Sequence, residues 1–237
     1  MADFAFGSIR PRAQEIFSVA LNTDSSVGCL AMYPATVDQR RLRTLYCNLM
    51  MEAKLRLLVI DGIFTGEYKV PHRPGFELCY LQLRMICEII ALGSVALHGD
   101  IPAVNSAKFR DAYEADWILK RLESLHPTFY PEPGFALGAV PDGAMDFAPM
   151  ADPYMTKPEL LKLYFHCGEI LHRGTSRKLA TAWDEPDFLP VMEASSKIVR
   201  LLTFHRIAFV GGEFELWVWL NGTTPVGKVE ARLIAPR

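Results

Sequence analysis

The segment GFELCYLQLRMICEIIALGSVALHGD, residues 75–100, restricts the folds open to this chain more than any other stretch. On a helical wheel, Leu78, Leu83, Met85, Ile86, Ile89, Ile90, Leu92 and Leu97 surround nearly the whole circumference. A helix that is apolar all round has to be enclosed by other elements, so the rest of the chain must wrap it. Pro74 suits its first turn, and His98-Gly99-Asp100 marks its end.

The flanking sequence supplies the wrapping. From Val37 to Ile60, Leu42, Leu45, Tyr46, Leu49, Ala53 and Leu57 recur at helical spacing, and Asp61-Gly62 closes the run. A third helix is expected from Ser106, a capping residue, to Leu125, before Pro127. Residues 126–158 hold seven of the 16 prolines and no clear period, which predicts a long irregular insertion. Helices follow at Lys157–Arg173 and Pro186–Thr203. Beyond them the chain alternates apolar and polar residues around Gly211-Gly212 and Asn221-Gly222, the pattern of a three-stranded antiparallel meander. Phe214, Leu216 and Val218 share one of its faces and Trp217 and Trp219 the other, so both faces need cover, from helices or from a second subunit.

The expected fold class is therefore mainly α: an antiparallel bundle of about five helices with a C-terminal three-stranded antiparallel β-meander. Residues 1–36 form an N-terminal extension, 37–203 the helical bundle with its Pro-rich insertion, and 204–237 the meander.

A net charge of -2 argues against a protein that coats nucleic acid by bulk positive charge, while leaving room for a local basic patch. Of the five cysteines, Cys47, Cys79, Cys87 and Cys167 fall in apolar helical runs, and none belongs to a C-x-x-C; free buried thiols in a reducing cytoplasm are expected. The start, MADFAFGSIRPR, lacks the basic and apolar regions of a signal peptide. The most apolar run, Met85–Leu97, is short for a bilayer and contains Glu88, so no membrane partner is expected.

Two features stand out from the core pattern. Glu77, Arg84 and Glu88 form a polar line on the otherwise apolar helix, and charges there require partners; Arg84 and Glu88, one turn apart, can supply them to each other. The line either fixes helix packing or walls a cleft. In YFHCGEILHRGTSRK, His172 sits on a shoulder with Leu161, Phe165 and Gly168, between the core face and the solvent face. Gly168, one turn before it, leaves space for another backbone or a ligand. His172 and Arg173 also complement a helix C-terminus that Gly174 ends. Alternatively, with Arg173, Arg177 and Lys178 beside it, His172 could move a proton at a bound phosphate.

The pairing of LRMICE on a buried helix with YFHCGEILHRG on a later one resembles the HEPN-type helical domains. The matching positions are Arg84 and Glu88, then Tyr164, Gly168, Leu171 and His172. The resemblance implies a homodimer that binds RNA or cleaves it without metal or cofactor, in defence or toxin–antitoxin settings. His172, Arg173, Arg84 and Glu88 would be its catalytic residues, and Arg177, Lys178 and His166 would bind substrate. The ribonuclease form of that family carries an arginine upstream of the histidine on the same helix, whereas Phe165, His166 and Cys167 occupy that stretch here. Non-catalytic interaction through the aromatic meander is the alternative. A third arrangement comes from Glu123/His126 and Glu169/His172, which, with Glu52 and Glu88, match the ligand types of a ferritin-like di-metal bundle. Both pairs lie at helix ends, however, and such a site needs helix middles. Cys167, on a core face, is a poor nucleophile.

Overall fold

The computed structural model describes residues 37–99, 101–137, 146–172, 185–212, 214–222 and 227–234. Within them, α1 spans Val37–Phe64, α2 His72–Leu97, α3 Ala107–Arg110, α4 Ala115–Leu125, α5 Lys157–Leu171 and α6 Leu189–Thr203. The strands are β1 Glu132–Leu137, β2 Asp146–Pro149, β3 Phe204–Ala208, β4 Glu215–Trp219 and β5 Glu230–Ile234.

Helix α2 is the central element, packing against α1, α4, α5 and α6. Cys79, Leu83, Ile86, Cys87, Ile90 and Leu97 are almost wholly buried, as an apolar circumference requires. By length and hydropathy α2 also passes the test for a membrane span, but 61% of that window is buried inside the fold. Helices α1 and α2 run antiparallel. Tyr46 lies against Gly93, where a Cβ would stand 2.9 Å from the tyrosine ring. About three turns away, Arg56 donates to Gln82 Oε1 at 3.0 Å and to Glu52 Oε1 at 2.5 Å.

Three sequence expectations need correction. Helix α1 continues through Asp61-Gly62 to Phe64; Gly62 is small because the Tyr68 ring lies where its Cβ would be, so this glycine marks a close approach rather than a stop. The third helix is broken into α3 and α4 by Asp111–Glu114. The Pro-rich stretch contains two strands, and β1 joins β3 through Glu132↔Arg206 and Pro133↔His205. The sheet is thus five-stranded and antiparallel, in the order β2-β1-β3-β4-β5, under a helical majority, and the expected meander is its last three strands.

One sheet face carries His205, Ile207, Leu216, Val218 and Leu233, all buried, with α6 packed against β1, β3 and β4. The opposite face bears Phe204, Trp217 and Trp219, and β2 adds Phe147 to them, with centroids 5.7 Å from Phe204 and 5.8 Å from Trp217. Arg206 crosses the Phe147 ring at 4.2 Å and pairs with Glu132 at 2.8 Å and Glu215 at 3.2 Å. Trp217 is only 3% exposed, so much of the aromatic face is already covered within the chain.

Candidate functional site

The polar line of α2 meets α5 along an antiparallel seam. Arg84 donates from Nη2 to the Tyr164 hydroxyl at 3.0 Å, its guanidinium carbon lies 4.3 Å from that ring's centroid, and Nε pairs with Glu88 at 3.3 Å. A Cβ on Gly168 would stand 3.0 Å from Arg84 Nη1. The space opposite Gly168 is therefore taken by a side chain from α2, and neither a backbone nor a ligand is needed to explain the glycine. Glu77, the first member of the line, pairs with Arg73 at 3.5 Å, away from this contact.

Tyr164 is 5% exposed, and burial pushes its phenol above the ordinary range, with Arg84 opposing the shift. The backbone of Ala115, at the start of α4, opposes the shift as well, which places α4 beside the seam. Burial drives the Cys167 thiol up to about 12 against the pull of Arg84, and holds Cys87 well above its usual value. Both thiols are protonated at neutral pH, in keeping with a structural role.

The two histidines of α5 lie on different flanks. Gly168 and His166 are roughly 160° apart around a helix. His166 faces Tyr80, with Nε2 3.3 Å from the hydroxyl and centroids 5.3 Å apart, and its Nδ1 lies 3.6 Å from Glu169. Phe76 packs beside Tyr80 with centroids 4.9 Å apart, and Phe188 packs on Phe76 at 5.3 Å. His172 is the C-cap residue of α5, its amide bonded to Gly168 O at 3.0 Å and its side chain exposed. It lies one turn, about 6 Å, beyond Gly168 and on the Arg84 flank. The structure thus brings Arg84 and Glu88 together, sets His172 one turn away on the same side, and puts His166 on the opposite side. Arg173, Arg177 and Lys178 lie outside the described residues.

One contact on the Arg84 flank had escaped sequence reasoning. Phe165, 52% exposed, stands under the Lys120 ammonium of α4 at 5.9 Å. Phe165 and His172 are seven residues apart and only about 20° apart around the helix, a shared shoulder the wheel had revealed. The approach of Lys120 depends on how α4 packs and has no local sequence signal.

The di-metal arrangement is overturned. Glu52 is bonded to Arg56, Glu88 to Arg84 and Glu123 to Lys157, while His126 Nε2 donates to Ala208 O at 3.0 Å. Among the described residues, no three His, Cys, Asp or Glu side chains are grouped as a metal ion would require. His98 Nδ1 lies 2.7 Å from Ser94 O, and its ring is 5.0 Å from that of His126, so these imidazoles join the ends of α2 and α4 to β3. Compared with protein-family models, with curated proteins and with solved structures, the chain matches none of them.

Proposed function

We propose that this chain binds RNA along the seam of α2, α4 and α5, as a HEPN-like helical protein of the cytoplasm. The observation that carries the reading is the arrangement on one flank of α5: Arg84, Lys120, Phe165 and His172 share it, and the last three are exposed. A cation, an aromatic ring and an imidazole on one accessible surface match the chemistry of phosphate, base and ribose. Arg84, held by Glu88 and Tyr164, forms the wall of the seam. Arg173, Arg177 and Lys178 follow His172 directly in sequence and would extend that charge.

If binding leads to cleavage, the ribose 2'-hydroxyl is the nucleophile and His172 moves its proton, with Arg173 steadying the phosphate. Within one chain, His166 cannot join His172 at the same phosphate, because the body of α5 stands between them. The test uses the full chain with a labelled, unstructured oligoribonucleotide in EDTA, following both binding and degradation. Saturable binding supports the reading, and degradation by the wild type but not by His172→Ala adds the catalytic step. Absence of both binding and degradation overturns it.

A further inference from the structure

The surface that includes Phe165 extends beyond the seam. Lys108 Nζ lies 5.3 Å from the Trp117 centroid, and Phe109, only 4% exposed, braces that ring at 4.9 Å. Trp117 and Lys120 are one turn apart on α4, so their side chains are neighbours. Lys120 in turn stands over Phe165. Lysine, tryptophan, lysine and phenylalanine therefore alternate in space across three helices, although no sequence motif joins them.

We infer that this strip is a platform for single-stranded RNA, with bases stacked on Trp117 and Phe165 and phosphates held by Lys108 and Lys120. The inference rests on the RNA-binding reading and adds the strand form of the ligand. Two features favour a single strand. Phe165 is exposed and Trp117, half-buried against the core, keeps part of its ring at the surface; ring surface open to solvent binds unpaired bases, which a duplex keeps within its own stack. The charge is also modest: Asp116 pairs with Lys120 at 3.3 Å, so attraction for phosphate alone is diluted and stacking must carry a large share of the affinity. Lys120 remains 61% exposed despite that pair and is free to turn toward a phosphate.

The test compares wild type, Phe165→Leu and Lys120→Ala in binding an unstructured oligoribonucleotide and a duplex RNA over a range of salt. Phe165 and Lys120 are both largely exposed, so the variants should stay folded, and thermal unfolding checks this. For the single strand, Phe165→Leu is expected to weaken binding roughly tenfold without changing the salt dependence, because a ring is lost and no charge is. Lys120→Ala should lower the slope of log affinity against log salt by about 0.7. Wild-type binding that Phe165→Leu leaves unchanged, or duplex bound as tightly as single strand, overturns the strip alone. Failure of the wild type to bind any RNA overturns the RNA-binding reading and the strip with it.

Discussion

The Tyr46 hydroxyl lies 2.8 Å from His205 Nε2, and both residues are almost completely buried. His205 Nδ1 is 3.1 Å from Leu202 O, an acceptor only, so Nδ1 carries the proton and Nε2 receives one from the tyrosine. The pair joins α1 to β3 and holds the histidine neutral in the core. Burial lowers its pKa from 6.5 to about 4.

This relationship makes stability depend on acid. Above pH 6.5, His205 is neutral in the folded and unfolded chains alike, and its contribution is fully present. As the pH falls from 6.5 to about 4, the unfolded chain takes up a proton that the folded chain refuses, so stability drops; below about 4 it levels off. The shift corresponds to roughly 3 kcal/mol at 1.36 kcal/mol per pH unit. Denaturant unfolding across this window should show the loss for wild type, and His205→Gln should flatten it. An equally steep profile in the variant would assign the acid sensitivity to other groups.

Tyr46→Phe should cost about 1–3 kcal/mol, because it leaves the buried Nε2 without a donor. Gly93→Ala should cost a similar ~1–3 kcal/mol by a different route: its Cβ would stand 2.9 Å from the Tyr46 ring in a closed core. Because both substitutions act on one ring, their effects should combine non-additively in a double-mutant cycle followed by urea denaturation. Simple additivity would show that the added methyl is accommodated without moving the Tyr46 hydroxyl from His205.

The start of α5 offers a more local check. The Thr156 amide and hydroxyl both donate to Glu159 Oε2, at 3.0 and 2.6 Å, and Lys197 from α6 reaches Oε1 at 2.6 Å. These bonds, that of Lys197 foremost, hold the Glu159 carboxyl down at about 2. Thr156→Ala should cost about 1 kcal/mol and raise the Glu159 pKa toward its ordinary 4.5, read by NMR titration of the carboxyl carbon. A carboxyl that stays near 2 in the variant would mean that Lys197 and the Thr156 amide account for the shift without the hydroxyl.

How far the sequence made this molecule legible can be traced residue by residue. The apolar circumference of α2, the Pro158 start of α5 and the alternation in β3–β5 are local patterns, and each appears as an element near its expected bounds. Strands β1 and β2 carry Pro133, Gly134 and Pro149, which suppress a strand signal, and they form because β3 offers an edge from far along the chain. In the site, Arg84 and Glu88 were readable as an i, i+4 pair, and His172 as a residue off both main faces. The partner of Gly168 was not, since the guanidinium that fills its space comes from a helix 84 residues earlier in the chain. His205 gave no warning because nothing in FHRIA shows which face of the sheet is dry.

That guanidinium leads to a prediction specific to the seam. Gly168→Ala would normally stabilise a helix by about 1 kcal/mol, but here the new methyl would crowd Arg84 Nη1 at 3.0 Å. In the wild-type background the helical gain should be offset by displacing the guanidinium from Tyr164. In an Arg84→Ala background the full gain should appear. The expected coupling is roughly 0.5 kcal/mol or more, measured by chemical denaturation of the four proteins. Equal effects in both backgrounds would place Arg84 away from Gly168 in solution.

His172 allows function to be separated from folding. Its side chain is exposed and makes no hydrogen bond, ion pair or ring contact among the described residues, while its amide bond to Gly168 O survives any substitution that keeps the backbone. His172→Ala should therefore change stability by less than about 0.5 kcal/mol. An RNA-related defect in that variant then reports on the imidazole itself. If His172 moves a proton, His172→Gln should retain RNA affinity and lose turnover, since the amide can hydrogen-bond but cannot titrate. If the residue only contacts RNA, the glutamine variant should bind nearly as well as wild type while the alanine variant binds more weakly, and neither protein should degrade the strand. A histidine that both substitutions leave without consequence, in a chain that still binds RNA, would move the functional surface away from the end of α5.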